Sequence, residues 1–173
     1  MSDIKPIVNK VAQKAIISLD LADYFPKAEE MDVIDLKDFL FKGLILKEAE
    51  FRQQVKDTDW SKYTGRYVAL YCSVNAIIPM WAYMVITAEL NAYAKDVACS
   101  HPDHALEIFL YRNLAALDME QFKAQRVVIK GCGDRAVPEA AFVQLTKQLA
   151  GVARSIMYGE PCSMVPVFKK VLE

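Results

Sequence analysis

The chain has 173 residues, of which 54% are hydrophobic and 25% are charged, and its formal net charge is −1. A chain of this length can bury a core of its own, and an ordinary charged fraction excludes global disorder. Balanced charge without a long run of Lys or Arg gives no electrostatic basis for binding nucleic acid or an anionic membrane. We therefore expect a globular protein with neither of these partners.

The first residues, Met1 to Pro6, contain no apolar signal-peptide core, which predicts a cytoplasmic location. The chain has four cysteines, Cys72, Cys99, Cys132 and Cys162. In a reducing compartment cysteines serve as free thiols or metal ligands more often than they form disulfides. We expect no structural disulfide.

The region up to Gly65 is polar and predicts an irregular α+β extension. Its apolar runs predict strands at Ala15–Leu19 and Val33–Leu36, and charges among apolar residues at Ile45–Val55 predict a helix. The next segment, Tyr67–Ala88, has no formal charge and could span a bilayer, which needs ~20 residues. Polar residues and Pro79 near its middle instead predict a buried strand followed by a helix.

Strands and helices alternate through the rest of the chain. Four short apolar runs predict strands at Val68–Tyr71, Asp96–Cys99, Arg126–Ile129 and Ser155–Tyr158, and helices are predicted to begin near Pro79, Pro102 and Pro138. The runs follow one another at about 30 residues, the size of a βαβ unit. This pattern predicts an α/β protein with a mostly parallel sheet and helices on both faces. We expect one domain over residues 1–173, with the extension at 1–65 and a strand–helix core at 66–173. We see no sequence similarity between the core units, which indicates a structural period.

Cys99 ends one of the predicted strands. Each of the other cysteines comes shortly after a predicted strand: Cys72, Cys132 and Cys162. In a single parallel sheet all four thiols would lie at the carboxyl edge, where open α/β folds bind ligands. Thiolates are soft ligands suited to zinc or an iron–sulfur cluster. The alternatives are thiol chemistry, for which Cys72 and Cys132 precede helices, and simple burial as small apolar side chains.

The two histidines, His101 and His104, lie just after Cys99 and could join a metal site with it. The pattern favours the start of a helix instead, with Ser100 or His101 as the cap. Gly131-Cys132-Gly133-Asp134 follows a strand and precedes a helix, so its backbone N–H groups could cradle an anion. A tight turn that needs glycine is the favoured explanation. At the same edge we expect Ser73, Lys130, Asp134 and Glu160 to orient or neutralise whatever the thiols bind.

Three segments, residues 71–84, 126–139 and 155–163, resemble an uncharacterised bacterial family, domain-of-unknown-function family 2480. The resemblance carries no established activity. It implies that Cys72, Cys132 and Cys162 are the family's thiols and that Cys99, His101 and His104 fall outside its pattern. It also implies iron–sulfur assembly proteins as partners.

Three functions remain open from the sequence, and the residues do not decide whether the protein is an enzyme. The first is an accessory protein of iron–sulfur or sulfur metabolism, with Zn or an iron–sulfur cluster bound by Cys72, Cys132 and Cys162. The second is a thiol-based enzyme or sulfur carrier. The third is a non-catalytic module that forms a homodimer.

Overall fold

The computed structural model describes residues 16–133, 135–160 and 163–170. The chain folds into two compact units, and one of them interrupts the other in sequence. We call Phe25–Asn113 the inserted unit, and Met1–Tyr24 together with Leu114–Glu173 the outer unit. That residues 1–173 form a single domain stays a prediction, because compactness alone does not show that either unit folds by itself.

The strands and α-helices alternate as expected of an α/β protein. In chain order they are β1 (Ile16–Asp20), β2 (Met31–Asp35), α1 (Glu48–Asp57), β3 (Tyr67–Tyr71), α2 (Met80–Leu90), β4 (Asp96–Cys99), α3 (Pro102–Ala115), β5 (Arg126–Lys130), α4 (Glu139–Ala150), β6 (Ser155–Glu160) and β7 (Ser163–Lys169). Short 3₁₀ helices follow β1 and β2 and precede β3 and β5. The predicted fold class and the predicted strands are confirmed.

The strands form two sheets, so the prediction of a single sheet is wrong. The inserted unit has the parallel sheet β2-β3-β4, and the outer unit has β1-β5-β6-β7. In the outer sheet β1, β5 and β6 are parallel, whereas β7 is antiparallel to β6 and was not predicted. A regular spacing of strands along the chain cannot show which strands pair, because pairing depends on contacts between distant residues.

Helices cover both faces of the inserted sheet. On one face Val68 and Leu70 of β3 pack in a buried cluster with side chains of α1 and α2, including Phe51 and Ile86. On the other face Tyr67, Ala69 and Ala98 pack against Ala105 and Phe109 of α3. A strand buried on both faces reads as a continuous apolar run, and this explains the sequence of β3. Within the described residues no helix is both long enough and apolar enough to cross a membrane.

The two units repeat one another with a constant offset of 59 positions. β3, α2 and β4 of the inserted unit begin at Tyr67, Met80 and Asp96, and their counterparts begin at Arg126, Glu139 and Ser155. The few identical residues are spread thinly, for example at Asp59 and Asp118, Val68 and Val127, Pro79 and Pro138, and Leu90 and Leu149. The structural repeat thus spans two strands and a helix, whereas the strand spacing of about 30 residues suggested a unit of one strand and one helix.

Backbone hydrogen bonds repeat at the same offset. The N–H of Gly65 donates to Tyr93 O at 2.9 Å, and the N–H of Ala124 donates to Val152 O at 3.0 Å. Gly65 and Ala124 both adopt positive φ, 72° and 57°. An alanine at positive φ is uncommon. The two loops therefore share one backbone conformation, although only the inserted unit has a glycine at this position.

The first strands of the two sheets also correspond. β1 and β2 each end in an aspartate whose carboxylate accepts a backbone N–H two residues later, from Ala22 to Asp20 at 3.1 Å and from Lys37 to Asp35 at 3.0 Å. A 3₁₀ helix follows in both cases. Each unit thus contains three parallel strands in an α/β arrangement, to which the outer unit adds the antiparallel β7, and the outer unit is split in sequence by the inserted one.

Candidate functional site

The carboxyl edge of the inserted sheet holds two cysteines on neighbouring strands. Cys99 is the last residue of β4, the strand that pairs with β3. It lies opposite Leu70 of β3. Cys72 comes immediately after β3. The thiol of Cys72 is half-buried and lies 3.4 Å from Val74 O, whereas Cys99 is exposed. We call Cys72, Cys99 and the nearby Tyr83 the thiol edge.

Tyr83 reaches this edge from α2 on the same unit. Burial raises the pKa of the Tyr83 hydroxyl, and the charges of Cys99 and Cys72 raise it further. A nearby negative charge disfavours the phenolate form, so a thiolate close to a tyrosine raises the pKa of its hydroxyl. Cys72 and Tyr83 also pack against the same buried cluster of apolar side chains.

Asp35 anchors the loop that carries Cys72. Its Oδ1 accepts the N–H of Ser73 at 3.0 Å, and its Oδ2 lies 3.3 Å from Lys37 Nζ. Burial alone would raise the pKa of Asp35, but hydrogen bonds from Ser73 and Lys37 outweigh it and lower the pKa to about 2. Ser73 was predicted as a ligand-orienting residue, and here its backbone fixes the turn beside Cys72.

Among the described residues, neither histidine belongs to a group of potential metal ligands. His101 packs edge-on against the ring of Tyr71, with ring centres 5.5 Å apart, and its Nδ1 lies 3.4 Å from Asp103 Oδ2. The carbonyl of His101 accepts the N–H of His104 at 3.0 Å in the first turn of α3. This is the helix start that the sequence favoured.

The carboxyl edge of the outer sheet is an ion-pair cluster. Lys130 Nζ lies 3.4 Å from Asp20 Oδ2 and 3.8 Å from Glu160 Oε1. The hydrogen bond with Asp20 is the main cause that raises the pKa of Lys130, and the charges of Glu160 and Cys132 add to it. Cys132 is exposed beside this cluster. Lys130 and Glu160 were predicted at one edge and are brought together.

Gly131 and Gly133 are required for close packing. A Cβ on Gly131 would lie 2.7 Å from the Phe142 ring, and one on Gly133 would lie 2.7 Å from Ala22 Cβ. Neither glycine adopts positive φ, so the tight-turn explanation is wrong for both. Asp134, the last residue of this predicted anion loop, lies outside the described residues.

Comparison of the two units shows that the thiol edge is particular to the inserted unit. At the positions that correspond to Cys72, Tyr83 and Cys99, the outer unit has Gly131, Phe142 and Tyr158. The rings of Phe142 and Tyr158 pack edge-to-face with centres 5.7 Å apart. Apolar packing thus replaces the thiols and the phenol in the outer unit.

The expected single rim of thiols is corrected by the two sheets. Cys72 and Cys99 follow strands of the inserted sheet, whereas Cys132 follows β5 of the outer sheet, and Cys162 lies outside the described residues. In the part of the chain that the structure describes, no three His, Cys, Asp or Glu residues come together as metal ligands. Burial as an apolar side chain is wrong for Cys99 and Cys132, which are exposed. The ligand set Cys72, Cys132 and Cys162 stays a prediction.

Sequence reasoning missed Tyr83 and Asp35. Tyr83 stands four residues into a helix whose other side is apolar, a position indistinguishable from core in the sequence alone. For Asp35 the sequence contains a recognisable pattern, since β1 and β2 each end in an aspartate that is followed by a leucine.

The fold and this site define an α/β protein of two nested modules, of which one carries a thiol edge. The chain belongs to the family described as proteins of unknown function, DUF2480, whose family model matches residues 5–170. No curated protein and no solved structure matches the chain.

Proposed function

We propose that this protein is a thiol-based sulfur carrier of cytoplasmic sulfur or iron–sulfur metabolism, with Cys99 as the accepting thiol and Cys72 as its neighbour. One observation supports this proposal above the others. Two thiols lie at the carboxyl ends of adjacent parallel strands, Cys99 at the end of β4 and Cys72 directly after β3, at the edge where α/β folds bind ligands. Cys99 is exposed, so a partner's persulfide can reach it.

The chemistry requires no external oxidant. The Cys99 thiolate attacks the outer sulfur of a persulfide, R–S–SH, and the S–S bond of the donor breaks. The donor leaves as R–S⁻, and Cys99 becomes the persulfide. Thiolates are the nucleophiles of such exchanges. Cys72 then lies on the neighbouring strand end, where it can take the sulfur onward by the same exchange.

The test is sulfur transfer to full-length protein that is purified without oxygen and incubated with a small-molecule persulfide. Intact-mass and peptide mass spectrometry should show one added sulfur atom on Cys99 in the wild type and none at that position in Cys99→Ser. Cys132→Ser is the matched control, because Cys132 is also exposed but lies on the other sheet. Equal labelling of Cys99 and Cys132 would contradict a dedicated site.

Alkylation kinetics test whether the two thiols act as one cluster. Negative charge on one thiol disfavours ionisation of a neighbouring thiol, so Cys72→Ser should speed alkylation of Cys99, measured across a pH series. Tyr83→Phe should alter the same rate, and Cys132→Ser should leave it unchanged. A Cys99 rate that is identical in all four proteins would show that the thiols do not interact.

The exposed thiol of Cys132 and the half-buried thiol of Cys72 also leave room for the second candidate, a soft metal ion or iron–sulfur cluster bound by Cys72, Cys132 and Cys162. Thiolate ligands suit both groups. Metal analysis of anaerobically purified protein separates the candidates. Stoichiometric Zn or Fe that is lost in the triple Cys→Ser variant and retained in Cys99→Ser would favour the metal. No bound metal, together with sulfur transfer to Cys99, would favour the carrier.

A further inference from the structure

An open apolar groove of about 700 Å³ lies in the outer unit between α4 and the strands β6 and β7. Its walls are mainly apolar and aromatic, with Phe142, Met157, Tyr158 and Val167 among them. Among the lining residues Val143 is 69% exposed and Val167 is 51% exposed. Monomeric proteins rarely leave contiguous apolar surface of this kind uncovered, so the groove is a candidate contact surface.

The exposed face of α4 carries one negative and one positive charge, at either side of Val143. Glu139, Val143 and Lys147 are four residues apart, so they lie along one side of the helix. Glu139 and Lys147 are about 12 Å apart along the axis, given 1.5 Å per residue. All three side chains are exposed, and among the described residues neither charge makes an ion pair.

This arrangement is self-complementary. When a second α4 lies antiparallel across the first, with a two-fold axis at Val143, Glu139 of each helix faces Lys147 of the other. The two valines meet at the centre and the grooves lie on both sides. A two-fold interface has this property, because each residue of the patch meets its counterpart on an identical patch.

The corresponding helix of the inserted unit lacks this charge pattern. Met80, Met84 and Ala88 of α2 occupy the positions of Glu139, Val143 and Lys147, so that stripe has no charge with which to orient a copy. The edge strand β7 is also unsuited to pairing with another sheet. Pro166 in its middle has no N–H to donate, which favours contact through the face of the unit over contact through its edge.

We propose that a second copy of this chain covers the groove, through an antiparallel contact of α4 with α4. The outer unit thereby forms a homodimer. This proposal does not rest on the sulfur-carrier function. A thiol edge that fails to accept sulfur leaves the dimer test unaffected.

Charge exchange provides the test, measured by sedimentation equilibrium of the full-length protein. Glu139→Lys places two lysines of one chain against two of the other, and Lys147→Glu does the same with glutamates. Each single variant should dissociate at least about tenfold more readily, which corresponds to about 1.4 kcal/mol. The double variant should restore association, because its charges are exchanged but still complementary.

Mixing the two single variants is the sharpest outcome. One chain then offers only lysines and the other only glutamates, so a heterodimer should form where neither variant self-associates. Glu107→Lys, an exposed charge reversal on α3, is the matched control and should leave association unchanged. Circular dichroism confirms that each variant is folded.

Three results would overturn the proposal. The first is a wild-type protein that stays monomeric at a protein concentration of roughly 100 μM, which is 100-fold above a micromolar dissociation constant. The second is a dimer that neither single variant weakens. The third is a dimer that both variants weaken but that neither the double variant nor the mixture restores.

Discussion

Removal of the Asp35 charge should destabilise the protein at neutral pH. In acid this destabilisation should disappear. The side chain of Asp35 is only 10% exposed, and its Oδ1 accepts two backbone N–H groups at 3.0 Å, from Lys37 and Ser73. These bonds lower its pKa from 3.8 to about 2. At 1.36 kcal/mol per pKa unit, the ionised carboxylate contributes about 2 kcal/mol to the free energy of unfolding.

The perturbation is Asp35→Asn, which keeps the shape and one acceptor but removes the charge. A carboxylate with a pKa lower in the folded than in the unfolded state stabilises the fold above the unfolded value. That stabilisation disappears as the pH falls through the folded value. We expect Asp35→Asn to be about 2 kcal/mol less stable than wild type at pH 7. The difference should shrink between about pH 4 and pH 2.

Urea unfolding at a series of pH values, followed by circular dichroism, measures this difference. Asp38→Asn is the control, because it removes the same charge from an exposed position in the same 3₁₀ helix. That variant should differ from wild type by under about 0.5 kcal/mol. Equal stability of Asp35→Asn and wild type at pH 7, or a difference that stays constant down to pH 2, would refute the reasoning.

Three further changes test the backbone and the core by the same unfolding measurement. Gly159→Ala should cost more than about 2 kcal/mol, because Gly159 has φ 116° and a Cβ would press on the Ser163 carbonyl, whereas Gly151→Ala, in open helical backbone, should be neutral or stabilising. Arg66→Met should cost about 1–3 kcal/mol, since the guanidinium binds Asp32 at 2.6 Å and the carbonyls of Glu29 and Met31. Arg52→Met loses an exposed pair with Glu48 and a contact with the face of the Trp81 ring, and it should cost less than Arg66→Met. Trp60→Phe should cost about 1–3 kcal/mol, because the buried indole N–H donates to Val55 O at 2.8 Å; a cost no greater than that of Trp81→Phe would contradict the role of this bond.

The nested arrangement has a consequence for folding. β1 pairs with β5, and the whole inserted unit lies between these two strands in the sequence. In contrast, β2, β3 and β4 pair within Phe25–Asn113. Long loop closures cost more entropy than short ones. The inserted unit can therefore form its sheet from nearer contacts than the outer unit can.

The sequence by itself determined the elements. Short apolar runs such as Val68–Tyr71 and Arg126–Ile129 are strands because side chains buried on both faces of a sheet must all be apolar. Helices began after Pro79 and Pro138, since proline is tolerated where the N–H has no helical partner. The α/β class and the position of Cys72 and Cys99 at strand ends followed from these local patterns.

Only the tertiary structure decided how the strands combine. The regular spacing of four strands agreed equally well with one sheet and with two, because strand pairing is a contact between distant segments that local residues do not encode. The strand pairing put Cys72 and Cys99 on one sheet and Cys132 on the other, and the packing of α2 placed Tyr83 on the same buried cluster as Cys72. Composition and periodicity report burial along one segment, whereas a site depends on which segments meet.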